Sequence, residues 1–323
     1  MPNKLATSRR VWIVTFLSLA VFLLCLALLP LIGAVKVDYS RAWEGLEPDR
    51  QILATLRFPR VALALLAGGA LALSGVLFQA LLREALAEPY TLGVSAGASL
   101  GAVVAISLGW HTTWLSSIVG AVATLFLVLG AASSRRMISH FTLLMAGITL
   151  NSICMAGILF LHSIASFGQS VAITRWLMGG IESVEPGSLI GLGVFVAAAS
   201  ALSFWQARSW NVLAVGEEWA AVRGVPTTRL ILIGYLTGSL VTGAVTSFTG
   251  PIGFIGLIVP HALRVSLGAD HRLLVPAAVL LGGAFLAVCD TIARMVLAPH
   301  DVPVGVITAL LGGPFFIWLL RSR

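Results

Sequence analysis

The first arrangement in the sequence that could do chemistry is a pair of opposite charges. Asp290 and Arg294 lie four residues apart in an otherwise apolar run, so on a helix they share a face and can pair. In hydrocarbon such a carboxylate either relays protons or forms a structural ion pair. A lone acid beside an arginine favours the structural pair. An ion-coupled secondary transporter would need further intramembrane acids, and none stands out. The six histidines, His111, His140, His162, His261, His271 and His300, form no HExxH or H-x-x-x-H pattern. An intramembrane enzyme would need a paired Ser, His, Asp or metal constellation, which is absent. Cys25, Cys154 and Cys289 each stand alone in an apolar run and read as small packing residues. No cofactor or metal is implied. A phosphate-binding P-loop needs a lysine directly after glycine. Lys4 and Lys36 are the only lysines, and they follow Asn3 and Val35. Transport powered by ATP would therefore draw its ATPase from another subunit.

The elements that position these residues belong to a membrane. The chain has 323 residues, 58% hydrophobic and 10% charged, with a mean hydropathy of +1.00. Soluble domains carry about 25% charged residues. Apolar runs of about 20 residues recur, each long enough to cross about 30 Å of hydrocarbon. Ten crossings are predicted, at 11–33, 58–82, 91–108, 114–133, 141–165, 188–206, 229–248, 252–267, 273–296 and 304–320. The chain thus reads as all-α, a single polytopic domain over 1–323 with about ten transmembrane helices. Lys4, Arg9 and Arg10 precede the first run, but that run is too long for a signal peptide and reads as an uncleaved anchor. With the N-terminus in the cytoplasm, 13 of the 20 Lys and Arg fall inside, which supports both termini there. The net charge of +7 is then a signature of orientation and calls for no nucleic-acid partner.

Between the sixth and seventh crossings lies the longest interior loop, 207–228, "ARSWNVLAVGEEWAAVRGVPTT". It is too polar to cross, and Gly216, Gly224 and Pro226 divide it into one or two short surface helices. Trp210, Val212, Leu213, Val215 and Trp219 would be exposed on a free loop, so this segment reads as a partner-docking surface. Gly93, Gly97 and Gly101 share one helix face. They imply close helix approach, within one bundle or with a second subunit. The segments "GGALALSGVLFQALLREALAEP" and "TGSLVTGAVTSFTGPIGFIGLIVP" are distantly alike and run in opposite directions, which would suit an inverted repeat.

Three blocks carry a resemblance. They are "LRFPRVALALLAGGALALSGVLFQALLREALAEPYTLGVSAGASLGA" at 56–102, "LAVGEEWAAVRGV" at 213–225, and "GPIGFIGLIVPHALRVSLGADHRLLVP" at 250–276. The last continues through "DTIAR" to "PVGVITALLGGPFFIWLL" at 303–320. Together they resemble the permeases of bacterial importers for iron-siderophores, haem and cobalamin (the FecCD-type, or type II, ABC importers). The resemblance implies ten helices per subunit and two permease subunits, a homodimer here, around one pathway in the cytoplasmic membrane. It also implies two cytoplasmic ABC ATPase subunits and a periplasmic or lipid-anchored binding protein that delivers a bulky metal chelate. Carried over by position, Glu217, Glu218, Ala221 and Gly224 fall in the family's ATPase-coupling helices. Arg57, Arg60 and Arg294 match its arginines that dock the binding protein. The turn 84–89 matches the inner gate, with Leu86 as plug. There Glu84-Ala85 replaces the family's Asn-Pro and adds a charge. Span five, with Met145, Thr149, Asn151 and Ser152, reads as a pathway lining.

Residues 250–261, "GPIGFIGLIVPH", carry three glycines and two prolines in an apolar run. If Arg294 docks a partner outside, this broken stretch must cross. Irregular backbone at membrane depth is tolerated only inside protein or against a water-filled cavity. The eighth crossing is therefore expected within the bundle, bent near the outer side at Pro251 and Gly253 and kinked at Pro260.

Overall fold

In hydrocarbon every backbone N–H and C=O must be satisfied within its own segment, so runs this apolar form helices. The computed structural model describes residues 7–35, 37–84, 87–134, 137–138 and 140–321. Its long helices are α1 (Ser8–Leu28), α2 (Phe58–Leu82), α3 (Val94–Ser107), α4 (Thr113–Ala132), α5 (His140–Ser163), α6 (Phe167–Leu177) and α7 (Pro186–Trp205). After them come α8 (Ala207–Val215), α9 (Glu217–Val222), α10 (Thr227–Thr249), α11 (Ile255–Leu267), α12 (His271–Val296) and α13 (Val304–Arg321). A two-residue antiparallel ladder, 133–134 with 137–138, turns the chain between α4 and α5. Each of the ten predicted crossings coincides with an apolar helix: seven are long enough to span and three, α3, α11 and α13, are shorter. Helix α6 matches none of the predicted crossings. It starts on a Ser166–Gln169 capping box.

Helix α2 is the axis of the bundle and is buried from Val61 to Leu82 except at Ala62 and Leu66. It packs against α12, α10, α11 and α7, while α1 leans on α12 from outside. Apolar burial cannot drive association in lipid, so close packing and polar contacts must hold the helices. Both are present. A Cβ on Gly75 would collide with the Gly256 carbonyl, so only glycine lets α2 and α11 touch there. Gly97 and Gly101 press on Ser116, Gly120 and Thr124 of α4, which assigns that glycine face to contact within the bundle. Ser74 Oγ lies 2.8 Å from Thr242 Oγ1, and Gln79 Nε2 donates to the Gly256 carbonyl at 3.1 Å.

Two of the short helices do not span by themselves. The 14 residues of α3 and 13 of α11 rise only about 20 Å each. Each follows an entry that is not α-helical: 87–93 before α3, and 250–254 after α10. Gly93 sits against Gly147 and Asn151 of α5, well past the start of that helix, so 87–93 has run back into the bundle. Gly250 lies against Trp176, whereas Phe254, left-handed at φ 70°, lies against Gly312 in α13. The entry 250–254 thus extends the bend expected near the outer side, and α11 starts deeper than that bend alone would place it. Ile255 to Pro260 are all buried, as expected for a broken crossing inside the bundle.

Candidate functional site

At one end of the bundle, α2, α12 and the α12–α13 turn bring four charges together. Arg60 Nη2 lies 3.1 Å from Asp290 Oδ1, and its Nη1 lies 2.8 Å from Asp301 Oδ2. Arg294 Nε donates to Asp290 Oδ2 at 3.1 Å, the predicted i,i+4 pair. Arg294 also donates to Thr291 Oγ1 and to the Ile32 carbonyl. Asp290 is 1% exposed, and two guanidiniums neutralise it. Asp301 and the Arg60–Asp290 pairing are not predictable from spacing, because 230 residues separate Arg60 from Asp290. Arg57 is buried and donates to the carbonyls of Pro30, Leu31 and Val35. Of the three arginines expected to dock a partner, Arg60 lines the open cleft at this end, a volume of about 390 Å³ shared with Arg175, Trp176, Glu182 and Asp301.

Within the bundle the entry to α3 meets the start of α11. The Glu88 carboxylate accepts the Phe254 N–H at 3.3 Å, and Pro89 touches Gly256. Helix N-termini expose unpaired N–H groups and partial positive charge, so an acid is favourable there. Glu88 is a half-buried acid absent from the residues singled out by sequence. Its signal was available: a charged residue just before a proline, between two apolar runs. Among the gate and pathway candidates, Glu84 is exposed, Met145 is exposed and Asn151 is half-buried beside Gly93. Leu86 lies outside the described residues.

At the opposite end from the Asp290 cluster, α8 and α9 form two short helices split at Gly216. Trp210, Leu213 and Ala220 face inward and are buried. Val215, Trp219 and Val222 face outward, with Trp219 64% and Val222 85% exposed. Glu218, Ala221 and Gly224 are exposed on the same segment; Gly224 has φ 77° and open space around it. Glu217 lies 4.0 Å from Arg83 at the end of α2. A further latch joins α8 to the α11–α12 turn. Asn211 Nδ2 donates to Asp270 Oδ1 at 2.8 Å, and Asn211 Oδ1 accepts the His271 N–H at 2.8 Å. Asp270 also caps α12 and binds Arg272 at 2.7 Å. Burial raises the Asp270 pKa, but the Arg272 and Asn211 donors outweigh it and hold the carboxyl at about 2.

These three regions lie along one axis: a charged cleft at one end, a junction of broken helices in the middle, and an apolar helix pair at the other. The comparisons with known proteins cover the whole of it. The profile of the FecCD transport family matches residues 19–322. The hemin transport system permease protein HmuU of Yersinia pestis is 36% identical over 304 residues, 90% of each chain. The cobalamin import system permease protein BtuC of Halobacterium salinarum is 38% identical over 281 residues, 86% of this chain and 75% of that one. A solved inward-facing structure of a metal-chelate type ABC transporter superposes with a TM-score of 0.84 at 28% identity, covering 97% of this chain and all of the other.

Proposed function

The chain belongs to the FecCD transport family, and from that premise we propose that it is the transmembrane permease subunit of an ATP-binding-cassette importer for a bulky metal chelate. The chelate class is ferric siderophore, haem or cobalamin, and the membrane is the cytoplasmic one, with both termini inside. The observation that carries this reading is the exposed α8–α9 pair. Its outward Val215, Trp219 and Val222 form an apolar surface outside any crossing, on a chain with no P-loop of its own. Such a surface suits a partner subunit. In this reading two ATPase subunits seat on α8–α9 of two permease copies, a homodimer. Glu217, Glu218, Ala221 and Gly224 form the contact. Ala221 permits close approach, and Gly224 makes the left-handed turn beyond it.

The opposite cleft receives a substrate-binding protein. Arg60 is the best placed of the docking candidates, with Arg57 and Arg294 holding the rim in shape beneath it. The junction between α3 and α11 is the gate region, with Glu84 and Leu86 on the ATPase side and Met145 and Asn151 along the pathway. Glu88 holds the α11 N-terminus, so in this reading 87–93 and α11 move together. An ion-coupled mechanism is not favoured, because Asp290 is already neutralised by Arg60 and Arg294.

Reconstitution in proteoliposomes tests this. The chain alone is expected to hydrolyse no ATP and to take up none of hemin, cobalamin or a ferric hydroxamate. Adding its ATPase and binding protein restores ATP-dependent uptake of one of them. Uptake by the chain alone, driven by a proton gradient, would overturn the proposal.

A further inference from the structure

A groove at the α8 end adjoins the Asn211–Asp270 latch and shares Arg272 with it. It has a volume of about 380 Å³. Its walls are Val11 and Trp12 of α1, Phe204 near the end of α7 and Pro276 of α12, and Arg208 and Arg272 are its charged lining residues. From Ser8 to Thr15 the groove follows about 10 Å of helix, the depth over which headgroups give way to acyl chains.

Two properties narrow the occupant. The walls are almost wholly apolar, which a free anion would not need and an acyl chain would. The charge around the groove is positive. Arg9 and Arg208 are exposed and Arg10 is half-buried, while Arg272 is ion-paired with Asp270 through Nε and Nη2. Arg10 uses one donor on the Leu267 carbonyl. Among the described residues Arg208 has no ion pair or hydrogen bond. Trp12 and the neighbouring Trp205, 64% and 84% exposed, are the residue type that anchors at headgroup level. Helix α1 also needs a filler here. It leans on α12, and Ser18 is its one buried residue.

We propose that this groove binds one anionic phospholipid of the adjoining leaflet, an acyl chain along Val11, Trp12 and Phe204 and the phosphate at Arg208, with the remaining Nη1 of Arg272 beside it. Basic pockets between transmembrane helices on the cytoplasmic side recognise acidic headgroups in this way. The bound lipid ties α1 to the start of α8.

The full chain, purified in mild detergent, is exposed to micelles doped with phosphatidylglycerol or with phosphatidylcholine of equal chain length, and native mass spectrometry counts retained lipid. One phosphatidylglycerol per chain is expected, in clear preference to phosphatidylcholine. Arg208→Gln should weaken retention about fivefold, the effect of one surface cation on an acidic lipid, and Arg208→Lys should keep it. Thr15→Phe, which fills the groove without touching charge, should abolish retention of the lipid. Inorganic phosphate at the same concentration should not displace it. Equal retention of the two lipids, displacement by phosphate alone, or unchanged retention in both Arg208→Gln and Thr15→Phe overturns the proposal. If Arg208→Gln fails to fold, Arg208→Lys against Thr15→Phe carries the comparison.

Discussion

At the scale of single residues, Asp290 shows how far local spacing reaches. Its pairing with Arg294 follows from four residues of helix and is legible in the sequence alone. Its pairing with Arg60 is not, because no local rule joins residues 230 apart. The consequence is large. With Asp290 buried and holding two guanidiniums, Asp290→Ala would leave buried Arg294 without a carboxylate and Arg60 with Asp301 alone, a cost of roughly 3–5 kcal/mol. A substantially lower melting temperature in detergent is expected, and a melting temperature within a degree of the parent would show that the cluster contributes little. Arg57 and Arg60 separate on the same argument. Arg57→Glu should destabilise the chain, since it removes donors from three carbonyls and buries a new acid. Arg60→Glu should also lower the melting temperature, since it sets a third carboxylate beside Asp290 and Asp301, but it alone of the two should slow binding-protein association, most visibly at low salt. Stopped-flow association rates alongside melting curves distinguish the two. Equal effects of both variants on both measurements would count against Arg60 as the docking residue.

At the scale of elements, the two short helices in 207–228 are legible because Gly216, Gly224 and Pro226 punctuate an amphipathic stretch. What the loop grips is not. Asn211 reaches a turn some 60 residues later, and only the Asp270 capping pattern hints at that turn. The latch links the proposed ATPase contact to the foot of α12, whose far end carries Asp290 and Arg294. Asn211→Ala removes a hydrogen bond to a charged acceptor, about 1.5–3 kcal/mol. ATP hydrolysis in the assembled transporter should persist while substrate uptake per ATP falls; an unchanged ratio would remove the latch from the coupling route. Its pH dependence has a definite sign. The folded pKa of Asp270 lies below its ordinary value of 3.8, so its stabilisation is complete above that value. It is lost only as pH falls from 3.8 through about 2, so the Asp270 carboxylate itself contributes no pH response between 5 and 8. Gly224→Trp places a bulky side chain at φ 77° on the contact surface. It should abolish ATPase binding while the chain still inserts, as co-purification of the two subunits would reveal.

At the scale of the whole molecule, the ten crossings are legible because hydrocarbon leaves helices as the one way to satisfy the backbone of an apolar segment. The depth at which α3 and α11 begin is not, because hydropathy reports how apolar a segment is and is silent on where its first turn sits. That depth comes from tertiary contacts: Gly75 on Gly256, Gly93 on Gly147, Glu88 on Phe254. The weak likeness between 68–89 and 237–260 acquires a physical meaning there. Each segment closes a long helix and leads through a short entry into a half-helix, α3 or α11, and the two half-helices run toward opposite ends. An inverted arrangement of this kind requires the α8 end and the α12–α13 turn to face opposite compartments. The proposed orientation, drawn from the excess of Lys and Arg at the α8 end, has that end in the cytoplasm. Single cysteines at Ala214, on α8, and at His300, in the exposed α12–α13 turn, report this directly. In intact cells a membrane-impermeant maleimide should label His300→Cys at once and Ala214→Cys only after lysis. Cys154 and Cys289 are buried and Cys25 is half-buried in α1, so the native background should be low. Labelling of both positions from the same side would break the inverted arrangement. Labelling of Ala214→Cys alone would reverse the orientation and place the proposed ATPase contact outside, which no importer powered from the cytoplasm could use.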